Sequence, residues 1–203
     1  MDIFFVILFS YVCGSIPFGL VLSKFFGNVD VRKIGSGNIG ATNVLRTGNK
    51  YLALLTLLLD ILKGFFPVLI SIKYFPELIY VSSLIVFLGH VFPLWLKFKG
   101  GKGVATYLGI LLALSIQLSL LFIFTWVVVS LIFKYSSLSS MFSSLTVFVV
   151  TLIKDNALKS INPQIDIGEE MSIMLFIFFI LIIFTHRKNI YKLKNKTEQK
   201  IKI

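Results

Sequence analysis

Negative charge is scarce in this sequence: nine Asp and Glu stand against twenty Lys and Arg among 203 residues. Cys13 is the one cysteine, so no internal disulfide can staple the chain, and within its apolar run it reads as a small helix-packing residue. Only two histidines occur, His90 and His186, far apart and without a neighbouring Asp/Glu set, which argues against a metal centre. No cofactor is implied. Charged residues make up 14% and hydrophobic residues 57%, which excludes an ordinary soluble domain and indicates an integral membrane protein. The net charge of +11 does not point to nucleic acid, because the basic residues sit in short segments beside apolar runs, as in membrane loops.

The apolar runs predict an all-α, polytopic bundle of seven transmembrane helices in a single domain, 1–203. The first run, Ile3 to about Leu22, is long enough to cross a hydrocarbon layer of about 30 Å and lacks the basic start of a cleavable signal, so it is expected to remain as a helix. Tyr51–Ile72 and Leu78–Leu96 follow. Val104 to Phe133 carries no charge and would extend about 45 Å as one helix, so two crossings with a turn near Gln117 to Leu121 are expected. Ser139–Ile153 and Met171–Thr185 complete the count. Lys24, Arg32, Lys33, Arg46 and Lys50 against Asp30 alone mark the first polar segment as cytoplasmic and the amino terminus as outside. Parity then puts the basic tail, about 187–203, in the cytoplasm. It leaves Lys154–Glu170, with Asp155, Asp166, Glu169 and Glu170, on the outer face. Asp60 and Lys63 lie three apart on one helical face, as a structural or a site-lining pair; His90 reads as a packed, hydrogen-bonded histidine.

Three polar stretches interrupt this pattern. In Ile34–Gly48, Gly35, Gly37 and Gly40 permit a concave array of backbone N–H groups toward an anion. Ser36, Asn38, Thr42 and Asn43 add neutral donors, and Arg46 adds a guanidinium suited to bidentate phosphate contact. The G-x-G-x-x-G spacing here lacks the strand and βαβ context of a dinucleotide fingerprint, and a plain interhelical turn leaves the side-chain donors unexplained. In Gly89–Thr106, Lys97, Lys99 and Lys102 surround Gly100, Gly101 and Gly103 just before a helix expected near Val104, a second anion site at a helix N-terminus. At the last helix end, His186 and Asn189 share a face on the cytoplasmic side.

Together these stretches resemble the acyl-phosphate-dependent glycerol-3-phosphate acyltransferases of bacteria, the PlsY family. Ser36-Gly37-Asn38-Ile39-Gly40-Ala41-Thr42-Asn43 with Arg46 is similar to the family's first motif. Gly89-His90, Pro93 and Lys97 through Ala105 match its second, and His186-Arg187, Asn189-Ile190, Leu193 and Glu198 its third. Lys192 and Lys196 depart from the usual arginine and glycine. The resemblance implies acyl transfer from acyl phosphate to the 1-hydroxyl of sn-glycerol 3-phosphate at the cytoplasmic face of a bacterial inner membrane. Ser36, Arg46, Lys102 and His186 would then hold phosphate, and Asn189 would orient substrate or His186. The glycines with Asn38, Thr42 and Asn43 would donate to phosphate, and Asp60, Lys63 and His90 would support the site. Expected partners are membrane lipids and the soluble enzyme that makes acyl phosphate. A His-x4-Asp acyltransferase is excluded, since Trp95 and Tyr191 stand five residues after the histidines. An organophosphate transporter is the non-enzyme alternative, weakened by the absence of an evident repeat and by polar motifs gathered at one face.

Overall fold

The structure is a computed structural model that describes residues 1–161 and 169–201. Among them every regular element is helical. The chain divides into two compact units, residues 1–116 and 117–203.

The first unit contains α1 (Asp2–Ser15), α2 (Phe18–Phe25), the short α3 (Ala41–Leu45), α4 (Lys50–Tyr74), α5 (Ile79–Val91) and α6 (Val104–Leu114). The run expected as one helix over Ile3–Leu22 is broken at Ile16 and Pro17. Ile16 is extended because the residue before a proline is disfavoured in the α region, and Pro17 has no N–H to continue the ladder. Asn49 starts α4 by accepting the Leu52 N–H at 3.0 Å, an N-cap immediately after the first polar segment.

Small residues set the helix spacing here. A Cβ on Gly64 would lie 2.2 Å from the Thr106 carbonyl oxygen, and one on Gly109 2.0 Å from that of Ile61, so α4 and α6 meet backbone to backbone. Gly14 and Gly89 do the same for α1 and α5, with Ser10 and Ser82 hydrogen-bonded at 2.9 Å between them. Because a backbone oxygen cannot swing aside, Gly64→Ala is expected to force α4 and α6 apart at a cost of about 1–3 kcal/mol. A thermal midpoint several degrees lower in detergent is the expected reading, and an unchanged midpoint would refute the close contact.

The second unit contains α7 (Ile116–Phe133), α8 (Ser136–Ile161), α9 (Glu169–Thr185) and α10 (Arg187–Lys194). The uncharged run breaks at Ser115, not at Gln117–Leu121: Ser115 is extended, and a hydroxyl residue gives the backbone a local alternative to the helical ladder. Nor is Lys154–Glu170 all loop. α8 continues to Ile161, and buried Asp155, expected on an outer loop, accepts a hydrogen bond from Ser172 of α9. Asp166 lies outside the described residues.

Among the described residues, five segments are long and apolar enough to cross a membrane: Asp2–Phe25, Lys50–Tyr74, Pro76–Leu96, Ile116–Phe133 and Ser136–Ala157. Glu169–Thr185 with Arg187–Lys194, bent by 58°, raises the number to six. At 11 residues α6 extends only about 16 Å, roughly half the hydrocarbon thickness, and does not add a seventh by length.

Candidate active site

The first polar segment is shaped by one buried side chain. The Asn43 amide nitrogen faces the carbonyl oxygens of Val31 (2.8 Å), Ile34 (3.0 Å) and Asn38 (2.7 Å), while its Oδ1 accepts the Ser36 N–H at 3.0 Å. Asn43 therefore holds the loop; it is not available as the anion donor expected from the sequence. The expected array of backbone donors is also reduced. The N–H groups of Ser36, Gly37 and Ile39 donate to Asn43 Oδ1, the Ile34 carbonyl and Asn38 Oδ1.

Gly35 has φ +55°, and a Cβ there would meet Arg46 Cδ at 2.7 Å, so glycine is required both by backbone and by the side chain lying over it. Gly37 is also left-handed, but Gly40 has φ −80° and simply precedes α3. Half-buried Arg46 ends α3 with its guanidinium 3.4 Å from Asn43 Oδ1, and the side chains of Ser36 and Thr42 are exposed. Asp30 opens the segment by pairing with Arg32 at 2.7 Å, and that guanidinium holds its carboxyl well below the usual carboxylate range.

The second segment folds back onto the end of α5. Lys97 and Phe98 are both left-handed; the N–H groups of Gly100 and Gly101 donate to the carbonyls of Val91 (3.0 Å) and His90 (3.1 Å). Contact requires the glycines here. A Cβ on Gly100 would lie 2.1 Å from the His90 carbonyl oxygen, and one on Gly101 2.0 Å from His90 Nε2. Gly103, at φ +81°, lies against the Phe87 ring and starts α6. Half-buried Lys102 thus stands beside the helix N-terminus, where unsatisfied N–H groups favour an anion, while Lys97 and Lys99 are exposed.

The two segments share one hydrophobic cluster. Val31, Ile39 and Val44 pack with Leu20 and Leu22 of α2 and with Leu52 and Ala53 of α4, and Leu96 of the second segment packs against them. Beneath lie Asp60, Lys63 and His90, all buried, with Lys63 Nζ 2.7 Å from Asp60 Oδ1. His90 is packed as expected, while its Nδ1 stands 3.9 Å from the same oxygen and, among the described residues, makes no hydrogen bond.

In the second unit His186 and Asn189 flank the bend between α9 and α10. His186 is buried and Nδ1 lies 2.8 Å from the Ile182 carbonyl oxygen. A carbonyl only accepts, so Nδ1 carries the proton, and in the neutral ring Nε2 carries the lone pair. The Asn189 N–H donates to the His186 carbonyl at 2.8 Å, and its Nδ2 donates to Glu198 Oε1 at 2.6 Å. Ser137 of α8 donates to the same Glu198 oxygen at 3.1 Å, a partner no local motif announces.

The described residues thus define a multi-pass helical membrane protein in which two glycine-rich segments lie on one hydrophobic cluster, each with a cation, Arg46 or Lys102, at a helix terminus. The family model for glycerol-3-phosphate acyltransferase matches residues 4–196. The chain is 53% identical to the glycerol-3-phosphate acyltransferase of Pelagibacter ubique over the whole of both chains. It is 50% identical to that of Mesorhizobium japonicum, over 96% of this chain and 94% of the other. Crystal structures of PlsY, an integral membrane glycerol 3-phosphate acyltransferase, resemble it at 35% identity. The glycerol 3-phosphate form gives a TM-score of 0.88 over 100% of this chain and 96% of that one. The lysophosphatidic acid form gives 0.85 over 98% and 95%. The chain belongs to the glycerol-3-phosphate acyltransferase family.

Proposed function

We propose that the chain transfers a fatty acyl group from acyl phosphate to the 1-hydroxyl of sn-glycerol 3-phosphate, giving lysophosphatidic acid and inorganic phosphate. The observation that carries this reading is the pair of cation-bearing glycine segments, ending in Arg46 and Lys102, on one hydrophobic cluster. Both substrates bear phosphate, so two such sites are needed, while the acyl chain stays in lipid. The hydroxyl oxygen attacks the acyl carbonyl carbon and the carbon–oxygen bond to phosphate breaks. The mixed anhydride is already activated, so positioning and charge stabilisation suffice without a covalent nucleophile.

Ser36, Arg46, Lys102 and His186 hold the glycerol phosphate and the departing phosphate. Asn38, Thr42 and the backbone around Gly35, Gly37, Gly40, Gly100, Gly101 and Gly103 complete the surroundings. The hydroxyl proton passes to a substrate phosphate or to His186 Nε2, with Asn189 orienting substrate or His186. Residues 1–203 act as one domain that crosses a bacterial inner membrane seven times, α6 included. The amino terminus is outside, and the site and carboxyl tail are cytoplasmic, within reach of the soluble enzyme that makes acyl phosphate.

The test is phosphate release from palmitoyl phosphate by purified protein in detergent, with and without glycerol 3-phosphate. Release that requires glycerol 3-phosphate and matches lysophosphatidic acid formed supports the reading. Saturable binding of glycerol 3-phosphate without turnover supports a transporter instead.

A further inference from the structure

We propose that the break in the first membrane-spanning segment, at Ser15–Pro17, is a positioning device that fixes the two glycine segments relative to each other, with Lys63 and Trp95 as the residues that hold it. The inference rests on the reading above, in which both segments bind substrate phosphate.

Breaking a helix inside a membrane leaves carbonyl groups that must find other donors, because lipid offers none. Here the donors come from distant elements. The Trp95 indole N–H donates to the Ser15 carbonyl at 2.7 Å, across 80 residues, and Lys63 Nζ donates to the Ile16 carbonyl at 2.7 Å, across 47. Each donor belongs to something the site uses. Trp95 lies in the second glycine segment, which is also tied to α1 by the Tyr11 hydroxyl donating to the Phe92 carbonyl at 2.8 Å.

Lys63 is neutralised by Asp60, which adjoins His90. The His90 carbonyl accepts the Gly101 N–H, and its ring packs on the Gly101 Cα. On the other side of the break, α2 carries the first segment. A Cβ on Gly19 would lie 1.9 Å from the Ile39 carbonyl oxygen, and Leu20 and Leu22 pack with Val31, Ile39 and Val44. Ser15 and Ile16 are thus the point to which both segments are referenced, one through α2 and the other through Trp95 and His90. Lys63 and Trp95 touch no substrate in this scheme; they set the distance between groups that do.

The experiment measures turnover against glycerol 3-phosphate for the wild type, Lys63→Met, Trp95→Phe and the double variant, with thermal midpoints of each. Phenylalanine keeps an aromatic ring at this half-exposed position and removes the indole N–H together with the five-membered ring that carries it. Expected are KM increases of about tenfold for Lys63→Met and about threefold for Trp95→Phe, with kcat changed less than KM. The double variant should be no worse than Lys63→Met alone, because both bonds hold the same break, and Lys63→Arg should recover most of the loss.

Multiplicative effects in the double variant, or an unchanged KM in both singles, overturn the inference while leaving the acyltransferase reading intact. An inactive wild type overturns that reading and the inference with it. Where Lys63→Met does not fold, the same cycle is run in an Asp60→Asn background, which leaves no unpaired buried carboxylate, and multiplicative effects of Lys63→Met and Trp95→Phe there overturn the inference equally.

Discussion

Arg46→Ala should lower kcat/KM for glycerol 3-phosphate by about 10²-fold or more while the protein keeps its thermal midpoint, and Lys102→Ala should do the same. A charge-assisted contact to phosphate is lost in either case, and about 3 kcal/mol of transition-state stabilisation corresponds to roughly two orders of magnitude. Folding is spared at Arg46 for a geometric reason: the bonds that shape its loop run through Asn43, and the guanidinium only leans on that frame at 3.4 Å. Arg46→Lys separates charge from shape. If a planar fork holds the phosphate, the ammonium restores a minor part of the loss; if charge alone matters, it restores nearly all. Initial rates of phosphate release over a glycerol 3-phosphate series, beside thermal unfolding, decide between these results. An Arg46→Ala variant as active as the wild type would remove Arg46 from the site.

The helices were legible because an apolar run of about 20 residues has few other uses, and the two glycine segments because polar residues between such runs demand a reason. What the sequence hid was long-range. Pro17 was visible, yet proline is tolerated in membrane helices, and no local spacing announces the donors from Trp95 and Lys63 that satisfy the carbonyls freed where the chain breaks. Asp155 looked like a loop residue because burying a carboxylate needs a partner, and that partner is Ser172 on the following helix. Asp60 and Lys63 could be paired from their spacing alone, but their burial beneath the second segment could not. Ser137 reaches Glu198 across 61 residues, a relation that no local spacing encodes.

Asn43→Ala should be more damaging than Arg46→Ala in a second respect: it should lower stability as well as activity. Three carbonyl oxygens, on Val31, Ile34 and Asn38, and the Ser36 N–H lose the partner around which the loop is wound. The bond to Val31 is buried and the others are partly buried, so the cost of leaving these groups unsatisfied is about 2–4 kcal/mol. The loop is expected to open, because water can satisfy the orphaned groups only if they leave the interior. Arg46 and Ser36 then lose their common frame, and activity falls by 10²-fold or more. Asn43→Asp gives no rescue: it keeps the acceptor for the Ser36 N–H but points a second acceptor at three carbonyl oxygens, which repel it. A fall in thermal midpoint together with faster proteolysis within residues 31–43 is the signature of a frame residue, whereas lost turnover in an equally stable, equally resistant protein would mean that Asn43 contacts substrate after all.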